Sequence, residues 1–363
     1  MKKVLFTGGG SVGHVSVNIA LIPVFKKNNY KISYIGSKKG IEKEMIRTID
    51  GVDYFEISTG KLRRYFSLEN FIDIFKVIKG IVDSIFILKK IKPDFIFSKG
   101  GFVSVPVCIA AKILKIPTIL HESDLTPGLA NKINIKFSKF IFTTFKETLK
   151  FLPPNKSKQI GVIVREKIYS GNKEKAYCLL KSKSNKPTIL VIGGSLGSKV
   201  INEYIWNNVK KFTEYFQIIH VVGKNFYNYS IEEKGYYQFE FLKEDLFDIF
   251  KITDFAITRA GANSIYEFLA LDIPTILIPL GTNQSRGDQI QNANYFKNNN
   301  FSKVINEEKI HELTLPYLQK FYENIDNIRN SIKIYKENNN IINNPENFYN
   351  IIISILEEDY GKK

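Results

Sequence analysis

The stretch KKVLFTGGGSVGHVSVNIALIPVFKKNN, residues 2–29, decides the fold. An apolar strand-like run, KVLF, ends in the loop TGGGSVGH and gives way to apolar residues at helical spacing. Gly8, Gly10 and Gly13 satisfy GxGxxG between that strand and that helix. The arrangement turns backbone N–H groups and the positive helix end toward a phosphate. A dinucleotide-binding unit would add an Asp or Glu for the ribose about 20 residues further on. Here the second strand, KISYIG, runs into Ser37 and Lys38, so the loop reads as an anion site that takes neither NAD nor FAD. His14 follows the loop directly. A neutral imidazole at the mouth of an anion site can take a proton from a hydroxyl.

Working outward, apolar runs recur at DFIFS (94–98), TILH (118–121) and FIFTT (140–144), separated by helix-length segments. Strands alternating with helices predict a parallel sheet covered on both faces. After residue 180 the pattern restarts with PTILVIGG, SLGSKVINEYIWNNV, QIIHVVG, DFAIT and TILIPL. The loops GGGSVG and GGSLGS hold matching places in the two halves. The fold class expected is therefore α/β, with two Rossmann-like domains built on parallel sheets. The expected domains are 1–163 and 164–344, with a C-terminal helix over 345–363 rejoining the first.

A chain of 363 residues suits two cores, and 44% apolar residues is ordinary for a globular protein. Cys108 and Cys178 form no CxxC pair and read as plain thiols. Lys2 and Lys3 lead straight into the first strand, which reads as no export leader, and no apolar run reaches the length of a spanning helix. Of the net charge of +16, residues 1–163 carry +15, from 27 Lys and Arg against 12 Asp and Glu. Such a field suits nucleic acid, an anionic membrane or a phosphorylated substrate. Nucleic acid is not expected, because neither an aromatic–basic platform nor a recognition-helix motif is present.

In the second half, Gly193, Gly194, Ser195 and Gly197 form another close-approach loop ahead of a helix. TRAGANSIYEF places Arg259, Gly261, Ala262 and Asn263 at a strand–helix junction, with Glu267 one turn on, where a carboxylate can accept two hydrogen bonds from a ribose diol. Gln289 and Asn292 lie three apart on one helix face, and amides there suit sugar hydroxyls.

Taken in order, TGGGSVGHV, SKGGFVSVPV, HESDLTPGLANK, VIGGSLGSKVIN, RAGANSIYEFLALDIPTILIPL and DQIQNA resemble the MurG family of GT-B glycosyltransferases over nearly the whole chain. The resemblance implies inverting, metal-independent transfer of N-acetylglucosamine from its UDP ester to the C4 hydroxyl of undecaprenyl-diphospho-MurNAc-pentapeptide, with no cofactor. It implies two domains facing across a cleft, acceptor on the first and UDP-sugar mostly on the second. By the same resemblance Gly9, Gly10 and Asp124 belong to the acceptor and phosphate loops. Ser11, Val12 and Gly13 form the loop near the donor sugar and the acceptor diphosphate, and His14 is the general base, with Glu122 as the runner-up. Arg165 and Ser195 meet the donor phosphates, and Leu242 marks the backbone that reads uracil. Ala262, Asn263, Ser264 and Glu267 hold ribose and phosphate, and Gln289 holds the sugar hydroxyls. The resemblance also implies partners in cell-wall synthesis and a peripheral place on the cytoplasmic side of the cell membrane. Another GT-B enzyme, a glycolipid glycosyltransferase or a UDP-sugar epimerase, would keep residues 190–295 and diverge in the first half.

This sequence departs from the family pattern at a few positions. Val12 stands where Gly or Ala is usual, and a β-branched residue disfavours positive φ. Asp124 replaces Asn, Ile163 replaces the Pro of GxPxR, and Val17 replaces a Pro after the loop histidine. The segment KLRRYFSLENFIDIFKVIKGIVDSIFILKKIKPD adds a membrane expectation. Phe71, Ile74, Phe75, Ile78, Ile81, Val82 and Ile85 form the stripe expected to pack on the sheet. Ile72, Phe86 and Ile87, off that stripe near Lys76, Lys79, Lys89 and Lys90, are expected to meet an anionic membrane.

Overall fold

The computed structural model describes residues 1–60, 68–164, 166–194, 197–281, 287–339 and 341–360, without the side chains of 68–72 and 359–360. It divides into two compact units, Met1–Ile163 with Ile341–Lys363, and Val164–Asn340.

The first unit begins with β1 (Lys3–Thr7), α1 (Gly13–Lys27), β2 (Lys31–Ser37), α2 (Ile41–Arg47), β3 (Val52–Ile57) and α3 (Leu68–Ile91). It continues through β4 (Phe95–Ser98), α4 (Ser104–Ile113), β5 (Thr118–Glu122), α5 (Leu129–Asn134), β6 (Phe140–Thr143), β7 (Ser157–Gln159) and the short β8 (Val162–Ile163). The sheet order is β3-β2-β1-β4-β5-β6-β7, and each pairing is parallel. Strands buried on both faces read as continuous apolar runs, which is why FIFS and TILH are visible in sequence.

The second unit holds α6 (Lys173–Leu180), β9 (Thr188–Ile192), α7 (Lys199–Phe212), β10 (Gln217–Val221), β11 (Tyr236–Phe239), α8 (Asp245–Phe250) and β12 (Phe255–Thr258). It ends with α9 (Ala262–Ala270), β13 (Thr275–Leu277), α10 (Asp288–Asn298), β14 (Ser302–Val304), α11 (Leu315–Glu323) and α12 (Ile325–Asn339). Its sheet, β11-β10-β9-β12-β13-β14, is again parallel throughout.

The chain then returns to the first unit. Strand β15 (Ile342–Asn343) pairs with β8, and α13 (Pro345–Tyr360) lays Phe348 against Phe97 and Phe142 at ring distances of 5.8 and 4.9 Å. In both sheets the strand order reverses beside the first strand, between β1 and β4 and between β9 and β12. Ligands of doubly wound folds bind outside the carboxyl ends of the strands at such switch points.

Helix α3 corrects one expectation. Ile74, Phe75, Ile78 and Val82, expected against the sheet, are exposed with Phe86, and the two phenylalanines are 72% and 70% accessible. The inner face is made by Gly80, Ser84 and Leu88, with Ile81, Ile85 and Ile87 packed on the core. The physical reason is a close approach. A Cβ on Gly80 would lie 2.2 Å from the Ser58 carbonyl and 3.2 Å from Pro106 of α4, so the small-residue face must point inward. Ile87, expected at the membrane, therefore packs inside. Phe71 and Ile72 lie outside the described side chains.

Candidate functional site

The loop after β1 is fixed from below and from both sides. Tyr34 donates its hydroxyl to the Gly8 carbonyl at 2.7 Å, and the Asn18 amide donates to Thr7 O at 3.2 Å. Glu42 of α2, fully buried, accepts from Gly10 N at 3.1 Å and from the Ser37 amide and hydroxyl. Gly10 takes the left-handed φ of 87°, while Val12 sits at −58° and −37° as the residue before α1. The positive φ that valine resists is thus carried by glycine, and Val12 fits without strain. Ser11 Oγ and His14 Nδ1 lie 2.9 Å apart. Helix α1 has no side-chain cap and no acidic residue in its first turn. Gly9 packs on Glu42 and Gly10 on the Phe102 ring, each 2.5 Å from a built Cβ. Glu42 was not singled out from sequence, since one more acid in GIEKE carries no signal.

Beside this loop, KGGF follows β4 and HESD closes β5. Glu122 is buried, and its carboxylate accepts from Asp124 N (2.9 Å), Gly128 N (3.2 Å) and Asn131 Nδ2 (2.8 Å). Burial pushes its pKa up, aided by Asp124 and opposed by Lys99. Both carboxylate oxygens are committed to the 122–131 loop, which is the bonding of a residue that shapes a loop. Asp124, half-buried, accepts Thr148 Oγ1 at its carbonyl. Two of the four histidines are structural. Burial, with Lys99, holds His121 well below its usual range, and burial brings His220 down to about 3 between Asn202 and Tyr236. His14 is the partly exposed histidine at the anion loop.

In the second unit, Gly193 and Gly194 close β9, and Gly197 (φ 77°) presses on the Val222 carbonyl ahead of α7. Ser195, like Arg165, lies outside the described residues. Gly194, Gly261 and Gly281 share a property: no described atom lies within 4 Å of a Cβ built on any of them. They follow the adjacent strands β9, β12 and β13 at the carboxyl edge of this sheet, where the Gly194 carbonyl accepts from Gly197 N at 3.0 Å and the Gly261 carbonyl from Ile265 N at 3.1 Å. Ala262 (buried), Asn263 and Ser264 form the first turn of α9, which has neither a side-chain cap nor an acidic residue there. Its N–H groups suit an anion. Glu267 is partly exposed further along the same helix, and Leu242 is buried past the end of β11.

Two residues brace this edge. Arg259, 8% exposed, donates to Ser198 Oγ (2.7 Å), Ile278 O (3.1 Å) and Glu307 Oε1 (2.5 Å), tying three loops together. Arg259 stands at the strand–helix junction expected from sequence, and its bracing task is set by the fold. Gln289 accepts from Leu280 N at 3.1 Å, whereas Asn292 is fully buried and donates to Ala260 O at 3.2 Å. The amides do share a face, but Asn292 spends its N–H on the backbone and does not face a sugar.

Two parallel, doubly wound sheets, each carrying a glycine loop at its switch point, make up the two Rossmann-like domains of the GT-B fold. The chain belongs to glycosyltransferase family 28: residues 4–143 match its N-terminal domain and residues 188–345 its C-terminal domain. The UDP-N-acetylglucosamine–N-acetylmuramyl-(pentapeptide) pyrophosphoryl-undecaprenol N-acetylglucosamine transferase of Staphylococcus aureus strain MRSA252 is 53% identical over 339 residues, 93% of this chain and 95% of that protein. Acinetobacter baumannii MurG shares the fold at a TM-score of 0.76 and 20% identity, covering 98% of this chain and 100% of that one. The UDP-GlcNAc 2-epimerase of Neisseria meningitidis does so at 0.65 and 14%, covering 99% and 100%.

Proposed function

We infer that this chain transfers N-acetylglucosamine from UDP-N-acetylglucosamine to the C4 hydroxyl of undecaprenyl-diphospho-MurNAc-pentapeptide. The observation that carries the reading is 53% identity along 95% of a relative named for that transfer. The donor is assigned to the second unit, where the start of α9, with no side-chain cap and no acidic residue in its first turn, and the side-chain-free backbone at Gly194 and Gly261 suit a diphosphate. Glu267 takes the ribose, the backbone near Leu242 the uracil and Gln289 the sugar. Arg165 and Ser195 are assigned to the phosphates by the family pattern alone. As the sugar–phosphate bond breaks, its electron pair goes to the UDP oxygen, and each charged hydrogen bond to that oxygen is worth about 1.5–3 kcal/mol.

The acceptor is assigned to the first unit. The C4 oxygen attacks the anomeric carbon from the face opposite UDP, which inverts it, and gives its proton to His14. A His14 tautomer that donates Nδ1–H to Ser11 Oγ makes Nε2 the base. Glu122 is assigned to positioning the 122–131 loop, where three of its roughly four lone-pair sites already accept hydrogen bonds. The membrane partner is an anionic lipid surface met by α3. Ile74, Phe75, Ile78, Val82 and Phe86 form its exposed apolar face, and Lys76, Lys79, Lys89 and Lys90 flank it. No helix among the described residues is long and apolar enough to cross a membrane.

The test is transfer of radiolabelled sugar from UDP-N-acetylglucosamine to the lipid acceptor, with UDP-N-acetylgalactosamine as competitor. A labelled lipid product is expected, with the competitor weak. Epimerised UDP-sugar without lipid product overturns the reading.

A further inference from the structure

Lys99 is among the most deeply buried side chains of the chain, 1% exposed. It follows β4, the neighbour of β1 across the switch point, and its N–H bonds Thr7 O at 3.0 Å, level with the glycine loop. A Cβ on Gly8 would lie 3.2 Å from the Lys99 Cβ, so the loop passes directly over the lysine stem. Gly101, two residues on, is as close to the other side: its Cβ would lie 2.2 Å from Gly9 O and 3.1 Å from His14 Nδ1. The ammonium donates to Ser123 Oγ, in the loop that Glu122 shapes. One side chain thus runs beneath the anion loop of α1 and ends in the loop after β5.

Burying charges is costly: exchanging a whole buried ion pair for apolar side chains of similar volume is often neutral or stabilising, whereas removing one partner alone is destabilising. Stability alone gives no reason for placing charges here. The surroundings suggest another reason. Its charge opposes the upward shift of Glu122 and adds to the downward shift of neighbouring His121, so it is felt across the floor of the site. The carboxylate of Glu42 is bound to Gly10 N and Ser37 on the far side of the loop. Above the lysine, α1 begins with no acidic residue in its first turn.

We propose that Lys99 is an electrostatic positioning residue: a fixed positive charge beneath the β1–α1 loop that favours an anionic group, the acceptor diphosphate, over that loop without touching it. The inference rests on the placement of the acceptor diphosphate at this loop. Through Ser123 the same ammonium also keeps the 122–131 loop in register with α1.

The test compares Lys99→Met, which keeps length and removes charge, with Lys99→Arg, Ser123→Ala and Ser11→Ala in the full-length enzyme. Lys99→Met should raise the acceptor KM about tenfold and weaken inorganic pyrophosphate as a competitor of the acceptor by a similar factor. Its KM for UDP-N-acetylglucosamine should stay within twofold, even though its melting temperature should fall as the buried Glu122 loses a neighbouring cation. Lys99→Arg should recover part of the acceptor KM, and Ser123→Ala should raise it about threefold. A Lys99→Met enzyme with unchanged acceptor KM and pyrophosphate inhibition overturns the proposal. So does one that loses both substrates equally, because that is the signature of packing alone. Ser11→Ala separates the two ideas. If it raises the acceptor KM while Lys99→Met does not, only the role of Lys99 fails. If neither variant moves it, the acceptor is not at this loop.

Discussion

The glycines at the carboxyl edges of the two sheets differ in what they face. In the first unit, Cβ atoms on Gly8, Gly9 and Gly10 would strike the His14 carbonyl, the Glu42 carboxylate and the Phe102 ring at 2.4 to 2.5 Å. Those glycines let protein pack against protein, and they bring α2, KGGF and α1 together around His14. In the second unit, Gly193 and Gly197 are packed in the same way, against Ser198 and the Val222 carbonyl, whereas a Cβ on Gly194 or Gly261 would meet no described atom within 4 Å. The lesson is that glycine does two jobs: it lets protein pack on protein, or it leaves backbone with no side chain in front of it. On the function proposed above, the first half supplies positioned side chains for the chemistry and the second supplies backbone for the nucleotide.

If that division holds, the largest single effect belongs to the first loop. His14→Ala should lower kcat by about 10²–10⁴, the usual worth of a positioned base, and leave the KM for UDP-N-acetylglucosamine within threefold. Steady-state kinetics with each substrate varied decides it. A larger kcat loss in Glu122→Ala, with His14→Ala mild, would exchange the two roles despite the filled hydrogen bonds of Glu122. The next effect separates the surfaces of the halves. Each cation near an anionic membrane contributes about 1 kcal/mol, so Lys89→Glu with Lys90→Glu should weaken vesicle binding by about 30-fold or more. Co-sedimentation with anionic and with zwitterionic vesicles, at low and high salt, measures it. Unaltered binding would remove α3 from the membrane reading. In the second half, Glu267→Ala should raise the donor KM about tenfold through loss of charge-assisted hydrogen bonds, with kcat nearly unchanged. An unchanged donor KM would leave the ribose without its assigned partner.

The architecture was legible because strands buried on both faces announce themselves as unbroken apolar runs, and because two glycine loops occupy matching places. Positions along the chain were also legible: His14, Gly194 and Ala262 stand at the carboxyl edges of their sheets as the pattern requires. Direction was harder. On α3, apolar spacing named a stripe but not which side of the helix it covers, and Gly80 and Ser84 decided that by allowing close approach. Asn292 shares a face with Gln289, yet three-residue spacing does not say whether that face meets solvent or a carbonyl. Arg259 and Glu42 were missed as braces for the same reason. Their partners, Glu307 and Ile278 for one and Gly10 and Ser37 for the other, are brought near only by the fold. The short β15 carries no periodicity at two residues, so its pairing with β8 had no signature.

The sharpest test of the comparison is also the smallest change, one methyl group added to each loop. Gly10 has φ 87° and the Phe102 ring 2.5 Å from its Cβ position, so Gly10→Ala meets both strain and overlap. Overpacking of this kind costs about 1–3 kcal/mol, which should lower the melting temperature by roughly 5 °C. Gly261 sits at φ −69° and ψ 129°, a conformation alanine adopts freely, with open space around it. Gly261→Ala should therefore melt with wild type, while its methyl stands where the donor diphosphate approaches α9. A clash worth about 1 kcal/mol raises the donor KM about fivefold. The pair is read by thermal denaturation without ligand and by donor KM together. If Gly261→Ala melts lower with an unchanged donor KM, the β12–α9 turn is packed by protein as the first loop is. If Gly10→Ala keeps its melting temperature, the first loop has room that its contacts deny. The expected crossing, stability lost at one glycine and affinity lost at the other, follows only if protein fills one loop and ligand the other.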